Sequence, residues 1–184
     1  MRYPAAETAE KHQRILDAAS RLFRERGFDG VSVAEIMKAT GLTHGPFYNH
    51  FASKEALMAE SVAHAVAASK ARMAPALQTA EGMVDYVQDY LSEAHRNDPG
   101  DGCLMSALGS EVSRVPAVRT GFTAHVRSSI ASLAEHFPWS AKRHARRDAI
   151  RMLSAMVGAM TLARAVDDEA LSEEILREVR SQFK

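Results

Sequence analysis

A chain of 184 residues, 46% hydrophobic and 25% charged, is long enough to bury a core and has ordinary globular composition. No apolar run approaches the ~18–20 residues of a membrane span and no segment has a signal-peptide layout, so we expect a cytoplasmic protein with no membrane partner. One cysteine excludes an internal disulfide and a multi-cysteine zinc site, and 23 basic against 23 acidic residues argue against a broadly basic nucleic-acid binder while allowing a small local footprint.

Every periodic segment has helical period. Ile15, Leu16, Ala18, Ala19, Leu22 and Phe23 share one face of a first helix, which Gly27 ends. Ser32 and Glu35 have capping-box spacing and open a second helix, Val33 to Ala39, ended by Gly41. Thr43 caps a third, very short helix ending near Phe51, and Ser53 starts a fourth from Lys54 to about Ala74. Further helices are expected over Gly82–Arg96, Cys103–Val112, Pro116–Phe137, Ala141–Val166 and Leu171–Phe183, with loops at RNDPGDG and FPWS. No strand pattern, internal repeat or low-complexity tract is present. The reading is all-α, with a soft boundary near residues 55–60 between short N-terminal helices and longer ones rich in Met and Ala.

The stretch GLTHGPFYNHFASKEAL places Gly45 and Pro46 inside what should be a helix. Glycine costs ~1 kcal/mol and proline ~3 in a helix interior. In a first turn the cost disappears, because those N–H groups have no intrahelical partner. Two short helices joined by Ala39-Thr40-Gly41-Leu42-Thr43 form a helix-turn-helix, whose second helix enters the major groove by its N-terminal end. Gly45 lets backbone approach closely, and Thr43, His44, Tyr48, Asn49, His50 and Lys54 are types that contact phosphates and base edges. Phe47 and Phe51, four apart, can face inward onto Ile15, Leu22, Ile36 and Leu57. His44 and His50, six apart, do not share a helical face, so no metal site is read there.

The stretch RILDAASRLFRERGFDGVSVAEIMKATGLTHGPFYNHFASKEAL resembles the DNA-binding domain of the TetR family of bacterial transcriptional regulators. The likeness covers about a quarter of the chain. It lies in the aromatic after Gly27, the Ser32-Val33 start, Ile36, Gly41, Tyr48, Phe51 and Ser53-Lys54-Glu55. It implies that Tyr48, Lys54 and His50 contact phosphates and that Thr43 and His44 stand at the exposed start of the reading helix. Asn49 replaces the aromatic that many members carry and can read a base edge. Pro46 replaces a small polar residue and offers only apolar contact, as to a thymine methyl. Ser32 and Thr40 complete the candidate DNA contacts. GCLMSALGSE and GAMTLARAVDDEALSEEIL resemble segments of some members more weakly.

In the remaining chain, Cys103 follows Gly102 at a helix start, where the dipole favours a thiolate; it is read either as a buried small hydrophobe or as a sensor thiol, as some members carry in a GCL-type phrase. Nine methionines suit a pocket that re-packs around apolar ligands. The candidate lining is Cys103, Tyr86, Tyr90, Met105 and Phe122, with His125, Trp139, Met156 and Met160. The basic run KRHARR is read as a solvated face or as a partner for the acids of residues 167–174. A dimer seam is expected on the last two helices, through Ile150, Leu153, Val157, Gly158, Ile175 and Val179.

No nucleophile elbow, HExxH or glycine-rich phosphate loop is present, so no catalytic residue, metal or cofactor is assigned. The expectation is a three-helix DNA-binding head (residues 1–55) on a larger helical ligand-binding and dimerisation body (residues 56–184). The function expected is that of a homodimeric regulator, a repressor on the strength of the resemblance, released from operator DNA by a small-molecule effector or by thiol modification. The alternatives are a ligand-binding or enzymatic bundle with a vestigial head, and a DNA-binding protein with no ligand.

Overall fold

A computed structural model describes residues 5–43 and 45–183, apart from the side chains of residues 5 and 46. Helix α1, Ala5–Arg26, turns Ile15, Leu16, Ala19 and Phe23 into the core. At 22 residues it is long, against the expectation of short helices throughout the head. Gly27 ends it at φ +78°, its amide donating to the Phe23 carbonyl at 2.8 Å. A side chain at that φ would be strained. Helix α2, Val33–Ala39, opens on the expected capping box, the Glu35 carboxylate accepting from the Ser32 amide at 2.8 Å. Gly41, at φ +70°, turns the chain out of it.

The expected third helix is a 3₁₀ turn, Gly45–Asn49. Five residues containing Gly and Pro leave too little length for a run of i→i−4 bonds. The Phe47 carbonyl closes the turn by accepting from both His50 and Phe51 amides, at 2.9 and 3.0 Å. Ser53 then caps α3, Lys54–Met73.

The body follows with α4 (Ala80–Tyr90), α5 (Glu93–Asn97), α6 (Leu104–Val112), α7 (Pro116–His136), α8 (Ala145–Ala165) and α9 (Glu169–Ser181). The single helix expected over Gly82–Arg96 breaks at Leu91, because the Ser92 hydroxyl accepts from the His95 amide and caps a new helix. The helix expected from Ala141 begins four residues later, at Ala145: Lys142–His144 form a 3₁₀ turn, which keeps three basic residues ahead of the positive end of α8. Lys142, Arg143, Arg146 and Arg147 of the basic run are exposed, as a solvated face would have them, and Arg147 pairs with Asp148 on its own helix.

Two apolar clusters form the interior. One joins α1, α2 and the Phe47–Phe51 turn to Leu57, Met58 and Val62 of α3, to Leu104, Leu108 and Val112 of α6, and to Val118 of α7. The other lies between α4, α7, α8 and α9 around Met83, Val87, Met152, Met156 and Met160. Among the described residues there is no strand, and no helix is long and apolar enough to cross a membrane.

Candidate nucleic-acid interface and effector cavity

The helix-turn-helix surface is built on two buried rings. Phe47 and Phe51 are almost fully excluded from solvent and stack with centroids 5.7 Å apart. Each contributes roughly 1.5–3 kcal/mol of burial. Their inward direction forces the residues between them outward. Tyr48 is 68% exposed, its ring edge-on to Phe47 at 5.1 Å. Thr43, Gly45 and Asn49 are exposed beside it, and among the described residues, its chain neighbours aside, nothing lies within 4 Å of where a Cβ on Gly45 would stand. The openness at Gly45 leaves room for a partner's backbone. His44 lies outside the described residues, as does the side chain of Pro46.

The other candidates divide. His50 is half-buried with its ring 5.9 Å from that of His12, and burial, then His12 and Lys11, push its pKa below the usual imidazole value. It therefore offers a neutral ring near pH 7. Lys54 donates from Nζ to the Phe28 carbonyl at 2.7 Å. The Ser32 hydroxyl is exposed but engaged with Glu35, donating to Oε2 at 2.7 Å and accepting from its amide. Thr40 is the correction: it is 6% exposed, its hydroxyl donates to the Met37 carbonyl at 2.7 Å, and its own carbonyl accepts from Arg14. It closes α2, and its hydroxyl is taken up by the protein's own backbone.

A cavity of about 360 Å³ opens in the body, with Met73, Met105, Leu133, Leu153 and Met156 as its apolar part. Tyr86, Tyr90, Cys103 and His95 also line it, as do the charged residues Arg72, Asp89 and Asp101. Burial, then the nearby Cys103, push the Tyr86 phenol up to about 12 and that of Tyr90 well above its usual value, so both are protonated donors at neutral pH. The Tyr90 hydroxyl is buried without a hydrogen-bond partner among the described residues. Cys103 stands at the N-cap of α6 with no side-chain capping bond. Its amide donates to His95 Nε2 at 2.9 Å, while His95 Nδ1 meets the Tyr90 carbonyl at 2.6 Å. Both contacts require the neutral ring protonated at Nδ1. Burial is the main cause lowering the His95 pKa, in keeping with that state.

Of the nine residues expected in the pocket, Cys103, Tyr86, Tyr90, Met105 and Met156 line it. Four do not. Phe122 lies in a separate surface groove with Val126, Arg127, Ile130 and Arg146. His125 is buried, and burial lowers its pKa. Trp139 donates from Nε1 to the Leu133 carbonyl at 2.8 Å and so satisfies the end of α7. Met160 is packed in the body core. Sequence reading missed Arg72, Asp89 and Asp101, because a charged residue on a helix or in a loop carries no sign of the cavity it borders, and it ranked His95 as a surface or core residue ahead of a ligand contact.

The expected dimer seam also divides. Ile150 is 42% exposed, and the space beside Gly158 is open. Val157, Ile175 and Val179 are half-buried. Leu153 is 9% exposed and lines the cavity, so it faces inward rather than toward a second copy. Leu162 and Leu171, 56% and 41% exposed, were not picked out from the sequence. Leu162 lies four residues beyond Gly158, which places them on one stripe.

These features define an all-helical protein with an N-terminal helix-turn-helix head and a helical body enclosing a cavity. Residues 15–61 match the family described as "Bacterial regulatory proteins, tetR family". Over 132 residues the chain is 28% identical to the HTH-type transcriptional repressor NemR of Escherichia coli (strain K12), covering 68% of this chain and 66% of that protein. Over 102 residues it is 29% identical to the HTH-type transcriptional repressor DhaR of Mycobacterium sp. (strain GP1), covering 55% and 52%. The matches thus span just under two thirds of NemR and about half of DhaR. Among solved structures, the reduced form of E. coli NemR superposes with a TM-score of 0.80 at 24% identity, over 95% of each chain. A TetR-family regulator from Agrobacterium tumefaciens superposes at 0.79 with 23% identity, over 96% of this chain and 98% of that one. The match to the TetR family thus lies in residues 15–61, and the all-helical fold of such regulators extends over nearly the whole chain.

Proposed function

We propose that the chain is a DNA-binding transcriptional repressor that acts as a homodimer and leaves its operator when a small molecule occupies the body cavity or modifies Cys103. The observation that carries this reading is the reading turn, where Tyr48 projects with Thr43, Gly45 and Asn49 from a platform fixed by buried Phe47 and Phe51. Residues 1–55 form the DNA-binding unit in this reading, and residues 56–184 bind effector and dimerise, with α3 running from one into the other. The relatives named as repressors support it, NemR and DhaR among them. We assign no catalytic residue, cofactor or metal. Among the described residues no group of three or more His, Cys, Asp or Glu is placed to hold a metal.

A two-fold dimer doubles the contact and reads two half-sites. Exposed Ile150, Leu162 and Leu171, with the open stripe at Gly158, supply its seam. The effector acts by population shift, limited by its differential affinity for the two head spacings. The thiol route is favoured by the position of Cys103 in the cavity wall and by a solved relative described as a reduced form. The test is fluorescence anisotropy with duplexes from the region upstream of the gene. Wild type should bind a duplex specifically, and Tyr48→Ala should weaken it without lowering thermal stability. Equal binding by both would refute the assignment of this face.

A further inference from the structure

We propose that Glu111, on α6 of the body, is a positioning residue for DNA binding: through the Phe28 backbone it fixes the ammonium of Lys54 where a phosphate meets it. The inference rests on the reading that the Tyr48 face binds DNA, and it assigns a role to a body residue well away in sequence.

The chain of contacts is short and closed at each step. The Glu111 carboxylate accepts from the Phe28 amide at 2.7 Å, a charge-assisted bond. The Phe28 carbonyl accepts from Lys54 Nζ at 2.7 Å. The Phe28 ring between them cannot move freely, since it is 1% exposed and lies edge-on to Phe23 at 5.3 Å. Gly27 makes the first step possible. A Cβ there would stand 2.3 Å from Glu111 Oε1, so the carboxylate can lie over the backbone only because residue 27 has no side chain.

Lys54 opens α3, five residues beyond Asn49 in the reading turn. An ammonium has three N–H donors, and one is held by the Phe28 carbonyl. That single bond sets the direction of the other two and removes much of the rotamer freedom a lysine would otherwise lose on meeting phosphate. Helix α6 places Leu104, Leu108 and Val112 in the head's core and Met105 on the cavity. The helix that carries Glu111 therefore borders the effector site, and a displacement of α6 reaches the Lys54 ammonium through two hydrogen bonds.

The experiment uses a duplex selected by the full-length wild type from a random pool, with affinity measured across a salt series. Each phosphate contact contributes about 0.9 to the salt slope and roughly eightfold in affinity at 0.1 M salt. Lys54→Met, lost from both half-sites, should reduce the slope by about 1.8 and weaken binding roughly 60-fold. Glu111→Ala should reduce the slope in the same way, Glu111→Gln should restore it through its amide oxygen, and Glu111→Ala placed on Lys54→Met should add less than twofold. An unchanged slope in a folded Glu111→Ala protein, a Gln variant no better than Ala, or a full multiplication in the double variant each overturns the proposal. If Glu111→Ala does not fold, Glu111→Asp, one methylene too short for the Phe28 amide, is read in its place. A wild type that selects no duplex refutes the regulator reading itself, a result distinct from a bound wild type whose slope ignores Glu111.

Discussion

Replacing Leu162 by Glu tests whether the exposed stripe of α8 is a dimer seam. Full burial of a leucine side chain is worth roughly 1.5–3 kcal/mol. In the single chain Leu162 remains 56% exposed, so a second copy can still bury about half of that value per protomer. A two-fold interface contains the residue twice, which gives about 1.5–3 kcal/mol and weakens the dimer roughly 12- to 150-fold. Sedimentation equilibrium across a dilution series measures the change, and circular dichroism should show full helicity in the monomer. Leu153→Ala is the counterpart, with its side chain turned into the cavity wall. It should cost about 2–5 kcal/mol of protomer stability and leave the intersubunit contact surface intact. An unchanged dissociation constant for Leu162→Glu, or monomers from Leu153→Ala with an unchanged melting temperature, would refute this placement of the two faces.

Phe47→Ala should cost about 3–5 kcal/mol in thermal or urea unfolding and abolish DNA binding with it, whereas Tyr48→Ala should weaken DNA binding alone. Cys103→Ser should bind operator DNA like wild type yet fail to release it on treatment with N-ethylmaleimide; equal release by both proteins removes the thiol from the mechanism. The pKa values of His50, His95 and His125 are all depressed by burial, so the unfolded chain binds more protons than the folded one as pH falls through the unfolded value near 6.5. Stability should be fully present above that value and decline below it, and His95→Gln should flatten the decline of melting temperature between pH 7.5 and 5.5. A melting temperature that rises on acidification over this range would contradict the neutral His95 clip.

The head was largely legible because its punctuation has a local cause. Ser32 with Glu35, Gly27 and Gly41 each perform the turn chemistry that their spacing implies, and all three are found as read. Thr40 misled because a hydroxyl in a turn serves DNA and local backbone equally well by residue type, and here it donates to the Met37 carbonyl. The break at Leu91 escaped notice because Ser92 is an ordinary helix residue until its hydroxyl caps the next helix. Leu153 was misplaced for a different reason. α8 is packed by both α7 and α9, so apolar residues occupy more than one of its faces and periodicity alone cannot say which face is left for a partner. The cavity was half legible, since its methionines and tyrosines carry composition but Arg72, Asp89 and His95 depend on how distant helices meet.

The core that unites α1 and α2 with α3, α6 and the start of α7 has a consequence for protein engineering. A chimera cut at residue 55 would strip Leu57, Met58, Val62, Leu104, Leu108, Val112 and Val118 from the apolar surface that the reading unit covers. The graft would succeed only if the host supplied side chains of matching volume at those seven positions. For the same reason, heating the intact chain should produce one cooperative transition, with the reading unit melting no earlier than the rest.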